Sequence, residues 1–154
     1  MSTRQEFIAS REAEFARTLA VNGLRMTHQR LEIVREIAGA RDHPDAETLL
    51  RRVRRRVPML SPDTVYRTLD MLAGNGLVAR IPMPRANRFD PDLTPHHHFV
   101  CGRCDRVVDV GADVLGPLPA APEALEGIGR VQSVHLQIWG VCDACEEGQT
   151  KKRQ

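Results

Sequence analysis

Apolar residues recur at helical spacing through the first half of the chain and at strand spacing through much of the second. Over residues 5–21, Ile8, Phe15, Ala16, Leu19 and Ala20 fall near one helical face, and Asn22 with Gly23 closes the segment as a turn or C-cap. Thr27 suits an N-cap, and Leu31, Val34, Ile37 and Ala38 mark the buried stripe of a second helix ending near Gly39. His43 and Pro44 interrupt the pattern. Asp45 then caps a third helix, in which Ala46, Leu49, Leu50 and Val53 follow an i, i+3, i+4, i+7 face. Pro58 ends it, and Ser61 with Pro62 starts a fourth as N-cap and first helical residue. In this helix Val65, Leu69 and Leu72 point inward, while Asp63, Thr64, Tyr66, Arg67 and Asp70 point outward.

Residues 77–81 read as a strand, 82–86 as a turn and 87–89 as a returning strand. Short helices followed by such a hairpin predict a winged helix-turn-helix, whose outward Tyr66 and Arg67 can reach bases or phosphates. Residues 90–95 read as a linker. Beyond it, residues 98–100 and 106–110 predict strands around a pair of cysteines, and residues 131–139 predict the longest strand. Pro117, Pro119 and Pro122 leave room between them for at most a short helix near residues 122–125. The polar, lysine-ended residues 146–154 predict a disordered tail. The expected fold class is α+β, with a winged-helix domain over residues 1–89 and a small α/β domain over residues 96–145.

Charge sharpens this division. Residues 1–89 carry 16 arginines and no lysine against 10 acids, a balance of +6, whereas residues 90–154 carry 6 basic and 10 acidic residues, a balance of −4. The first half therefore favours a polyanion and the second does not. No stretch is apolar enough for a membrane span and the N-terminus has no signal-peptide core, so a cytoplasmic protein is expected.

The cysteines supply the first chemistry. All 4 lie in two C-x-x-C pairs, Cys101 with Cys104 and Cys142 with Cys145, a spacing that in a reducing compartment describes a closed tetrahedral zinc site. A second, harder donor set surrounds the first pair. His96 and His98 leave one strand face together, with Asp90 before them and Asp109 behind, a nitrogen and carboxylate set suited to iron, manganese or zinc. By the same alternation His97 is expected on the opposite, solvent-exposed face. A zinc hydrolase would need a glutamate placed as general base, and neither H-x-E nor H-E-x-x-H occurs. A thiol oxidoreductase on Cys101-x-x-Cys104 has less support still, since thiolates tied to zinc are not free to cycle.

The order of these features resembles the ferric uptake regulator family of metal-dependent repressors. The resemblance rests on Leu24-Arg25-Met26-Thr27-His28-Gln29-Arg30, on His43-Pro44 before a capped helix, on Ser61-x-x-Thr64-Val65-Tyr66-Arg67-Thr68-Leu69, on His96-His97-His98-Phe99-Val100-Cys101-x-x-Cys104, and on Val141-Cys142-x-x-Cys145. It implies a non-enzymatic homodimer, joined through the C-terminal domain, on double-stranded DNA with a palindromic operator. It places Ser61, Thr64, Tyr66 and Arg67 on the DNA-binding helix and the four cysteines on structural Zn²⁺. It also implies a regulatory Fe²⁺ or Mn²⁺ held by His43, Asp90, His96, His98 and Asp109, of which His43 is a ligand by resemblance only.

Asp90 and Asp109 fall where family members vary between Asp and Glu. The all-aspartate version is similar to the peroxide-sensing branch, in which iron oxidises a ligand histidine; the alternative is an iron- or zinc-responsive uptake regulator. The chain departs from the family at His28, Pro95, His97 and Val134, with His135 one residue out of register for a further metal site that some relatives build. The proline-rich residues 111–122 also shorten the helix expected in the dimerisation domain.

Overall fold

Three helix starts follow directly from local chemistry. In the computed structural model, which describes residues 4–116, 127–129 and 135–150, Thr27, Asp45 and Ser61 each take extended backbone angles. Their side chains accept from the amides of Arg30, Thr48 and Thr64 respectively. Each cap satisfies an N–H that would otherwise have no partner at the helix start. The helices of the first unit, Met1–Leu93, are α1 (Arg4–Val21), α2 (His28–Ala38), α3 (Ala46–Val53) and α4 (Pro62–Gly74). A two-stranded wing of β1 (Ala79–Ile81) and β2 (Arg88–Asp90) completes it. The wing strands are antiparallel, with Ala79 opposite Asp90 and Ile81 opposite Arg88.

Phe15, Ile33, Val34, Ile37, Leu49, Val53, Leu60, Val65, Leu69 and Leu72 form the core of this unit. At roughly 1.5–3 kcal/mol for each large apolar side chain removed from water, this packing outweighs the weak propensity of the short α3. The stripe of α2 differs from its prediction. Ile33 and Glu32 are buried and Leu31 is only half-buried. Glu32 is accommodated because Arg56 and Arg35 reach it at 2.6 and 2.9 Å. The hydrogen bond from Arg56 is the main reason its carboxyl stays below the usual range, against the opposing effect of burial.

Much of the basic run along the end of α3 and the turn after it is thus spent inside the unit. Arg56 also meets Glu36 at 2.9 Å, Arg52 forks onto Asp42, and Arg54 Nε donates to the Leu60 carbonyl. From α1, Arg11 donates to the carbonyls of Leu77 and Pro91, tying the segment after β2 to the first helix.

Helices α1 and α4 end alike. Gly23 and Gly76 take φ of +68° and +66°, and the next amide reaches back five residues, Leu24 to Leu19 at 2.8 Å and Leu77 to Leu72 at 2.9 Å. Both are Schellman closures. Asn22 Nδ2 donates to Asn75 Oδ1 at 2.9 Å, which joins the two closures directly. A side chain at φ near +60° costs about 1–2 kcal/mol. Gly76→Ala is therefore expected to lower stability by about that much, measurable as an earlier thermal transition of the whole chain.

The second unit, Thr94–Gln154, contains β3 (His96–Cys101), β4 (Val107–Gly111), β5 (Gln137–Gly140) and α5 (Asp143–Thr150). The sheet order is β4-β3-β5, with β4 antiparallel and β5 parallel to the central β3. The chain is therefore α+β, as the pattern predicts. Three expectations need correction. Asp90 is the last residue of β2 rather than part of a linker. The strand expected over 131–139 is β5 alone among the described residues, with 131–134 outside them, as is the short helix near 122–125. Of the tail expected to be disordered over 146–154, residues 146–150 instead continue α5, whose first turn is held by the Cys145 and Glu146 amides on the Cys142 carbonyl, and 151–154 lie outside the described residues. No helix among the described residues is long and apolar enough to cross a membrane.

Candidate metal centres

The parallel pairing of β3 with β5 brings the two cysteine pairs together. Parallel strands end on the same side, and Cys101 lies opposite Gly140, so Cys142 emerges two residues later beside the first knuckle. The four sulfurs lie within 4.8 Å of one another. Cys104 Sγ and Cys142 Sγ are 3.8 Å apart, about the edge of a tetrahedron with metal–sulfur bonds of about 2.3 Å.

The electrostatics point the same way. Backbone amides of Cys142, Cys104 and Arg103 converge on the Cys101 sulfur and hold its thiol down at about 6. Cys145 is pushed up to about 12, first by the sulfur of Cys142 and then by those of Cys104 and Cys101. Four sulfurs this close cannot all ionise without a cation among them. A sulfur prepared by amide donors, clustered with three more that a positive charge would bring together, fits a divalent thiophilic ion, and zinc is the common occupant.

Further along the same strand a second donor set converges. His98 lies directly opposite Asp109 across the antiparallel β3–β4 pair, and His96 shares its strand face. His96 Nε2 is 2.9 Å from His98 Nε2, while Asp109 Oδ1 is 3.6 Å from the former and 3.7 Å from the latter. Metal bonds of about 2.1 Å place neighbouring ligand atoms roughly 3.0–3.4 Å apart, so the three atoms are close to a coordination triangle. His96 Nδ1 lies 2.7 Å from the Thr94 carbonyl. A carbonyl can only accept, so Nδ1–H donates to it and Nε2 is left as the lone-pair nitrogen facing the cluster, the usual way a protein orients a histidine ligand.

His97 is buried, at 3% exposure, and not at the surface. Alternation gives a solvated face only where one side of a sheet is open, and β3 is a central strand buried on both sides.

In the first unit, His43 occupies the turn before α3 with φ +48°, a conformation side chains rarely adopt. The Phe89 amide donates to the Pro44 carbonyl at 3.1 Å, fastening this turn to β2. His43 Nε2 consequently lies 3.8 Å from Asp90 Oδ2, both side chains being buried. Nothing local in the sequence signals this pairing, because it depends on a contact between a turn and the returning strand of the wing.

On α4, Ser61 and Thr64 are engaged in the helix cap, with the Thr64 amide on Ser61 Oγ at 3.1 Å and the two hydroxyl oxygens 2.8 Å apart. Tyr66 and Arg67 are exposed, the tyrosine at 55%. His28 and His135 are exposed as well.

The chain matches the family model of the ferric uptake regulators over residues 21–136. The peroxide operon regulator of Bacillus subtilis (strain 168) is 30% identical over 135 residues, which span 87% of this chain and 92% of that protein. A zinc uptake regulator complexed with zinc and DNA is similar in structure, with TM-score 0.64 and 28% identity over 97% of this chain and 99% of that one. The Helicobacter pylori ferric uptake regulator, described with three functional metal-binding sites, matches at TM-score 0.75 over 94% of this chain and 97% of that one. Its identity is 18%, and that likeness speaks for the fold alone.

Proposed function

Because the chain belongs to the ferric uptake regulator family, we propose that it is a repressor that binds a palindromic operator as a homodimer and releases it when hydrogen peroxide oxidises its own histidines. Family members are metal-responsive transcriptional regulators, so the chain is a regulator and not an enzyme. The finer reading is supported chiefly by the donor chemistry. Both carboxylates of the proposed regulatory set, Asp90 and Asp109, are aspartates beside histidines, in a chain 30% identical to a peroxide operon regulator.

In this reading Cys101, Cys104, Cys142 and Cys145 hold structural Zn²⁺, while His43, Asp90, His96, His98 and Asp109 hold the regulatory ion, Fe²⁺ or Mn²⁺. The first two regulatory ligands belong to the DNA-binding unit and the other three to the sheet unit. An ion drawing on both binds only one of their arrangements, and by linkage stabilises it. The arrangement selected is the one whose two α4 helices, one per protomer, fit half-sites one helical turn apart, about 34 Å. Thiolate ligation of zinc accords with a reducing, cytoplasmic setting.

A zinc- or iron-responsive uptake regulator is the second reading, favoured by the 28% identity to the zinc uptake regulator over nearly the whole chain. Operator titrations with Fe²⁺, Mn²⁺ and Zn²⁺ in separate anaerobic runs, each repeated with peroxide, separate the two. Affinity order does not decide, since zinc outcompetes iron and manganese at most nitrogen and oxygen sites. Peroxide-labile binding with iron alone supports the sensor, and binding that follows one metal's concentration regardless of peroxide supports the uptake regulator.

The role of α4 has its own test. Arg67→Ala is expected to weaken operator binding by about 1–3 kcal/mol, roughly 5- to 150-fold, with regulatory-metal affinity unchanged. Fluorescence anisotropy on the Mn²⁺-loaded protein measures it, and equal operator affinity would remove α4 from the groove.

A further inference from the structure

The exposed charges of α4 are ill-suited to simple attraction of DNA. The helix carries Asp63, Arg67 and Asp70, two acids against one base. Asp70 is already matched by Arg80 of β1 at 2.6 Å. The remaining two form a pair of their own, with Arg67 Nε 3.1 Å from Asp63 Oδ2 one helical turn earlier, and both side chains stay largely exposed, at 79% and 71%. An exposed i, i+4 pair of this kind adds little to a helix, and this one already has its Ser61 cap and a proline in its first turn. A carboxylate facing phosphates would only repel them. Facing base edges it has a use, because the major groove presents exocyclic amino groups on cytosine and adenine that a carboxylate can accept from.

We propose that Asp63 is a specificity-determining residue: its ion pair on the Nε side steadies Arg67 so that the two terminal amino groups meet O6 and N7 of a guanine, and its other carboxylate oxygen accepts from the amino group of an adjacent cytosine or adenine. The inference rests on the reading of α4 as the DNA-facing helix. An arginine with all five donors free can approach guanine side-on, approach it end-on, or turn to a phosphate. The Asp63 carboxylate beside Nε obstructs the side-on approach and leaves the end-on fork as the favoured one. The cost is a negative charge at the interface, which lowers affinity for every duplex equally. Asp63 therefore trades general affinity for discrimination.

The test uses the full-length protein loaded with zinc and Mn²⁺, as wild type, Asp63→Ala, Asp63→Asn and Arg67→Ala, each selecting from a pool of duplexes randomised at the half-sites. Wild type is expected to enrich a guanine with an amino-bearing base beside it. Asp63→Ala should lose both preferences, binding random duplex as well as or better than wild type while the specific-to-random ratio falls at least tenfold. Asp63→Asn keeps the size of the side chain and should lose most of the ratio. Replacing the selected guanine by 7-deazaguanine should weaken wild type strongly and Asp63→Ala little. If Asp63→Ala keeps the wild-type preferences and merely binds all duplexes more tightly, Asp63 is only a surface charge and the proposal is wrong. If Arg67→Ala itself binds and selects like wild type, the DNA-facing reading of α4 fails, and the proposal fails with it.

Discussion

Anaerobic ferrous-loaded protein given one equivalent of hydrogen peroxide is expected to gain one oxygen atom on the peptide carrying His43 or the peptide carrying His96, and to leave its operator in the same experiment. Ferrous iron held by these ligands would lend one electron to cleave the peroxide bond and would recover it from the oxygenated imidazole as the ring proton leaves. The oxidant so formed reacts within a few ångströms of its origin, and the nearest oxidisable groups are the imidazoles. One oxygen atom of the peroxide ends on an imidazole carbon and the other leaves as water, so atoms and electrons balance without a further reductant. An oxygenated ring is a poor nitrogen donor, so in the proposed reading its loss as a ligand would release the ion. His96 is the more accessible target, its side chain being 12% exposed against 2% for His43. The Mn²⁺ form should hold DNA through the same treatment. Mass spectrometry and a mobility shift on one sample give the answer, and intact histidines in protein that has let go of DNA would exclude the sensor.

Cys142→Ser is expected to abolish the folded second unit rather than merely weaken it. Among the described residues of that unit only Val100, Cys101 and Val107 are buried hydrophobics, whereas the first unit packs an extended cluster. Three strands of 6, 5 and 4 residues cannot offset chain entropy on such a core. A structural zinc contributes on the order of 10–16 kcal/mol in small peptides, more than the net stability of most domains. The chain's single tryptophan, Trp139, lies in β5, so its fluorescence reports this unit directly. The variant should show an unfolded-type spectrum while the far-ultraviolet helical signal of the first unit persists. A folded, zinc-free variant would show that the sheet stands without its metal.

The sequence made the helix starts and much of the wing legible because their determinants are local. Thr27, Asp45 and Ser61 each bond an amide three residues on, and the Asn-Gly ends need only a left-handed residue. What escaped depends on distant partners. Glu32 is buried because Arg56 reaches it from the turn after α3, a contact no periodicity reveals. His97 is buried because β3 is central, which becomes clear only when β5 is known to pair on its far side. The four cysteines announced themselves by spacing alone. His43 did not, since its nearness to Asp90 is made by a strained turn held on the wing, and only family resemblance pointed to it.

One strand, β3, carries His96 and His98 near its start and Cys101 at its end, a span of about 20 Å or less at strand rise. In the proposed reading, the imidazoles are aimed by a sheet that exists only once its cysteines are filled. The cell would therefore read peroxide through an instrument that zinc must first calibrate. A newly made chain short of zinc would not fail as a stuck lock on its genes; unable to grip the operator, it would leave them open, so that scarcity of one metal passes for the stress that another is there to report.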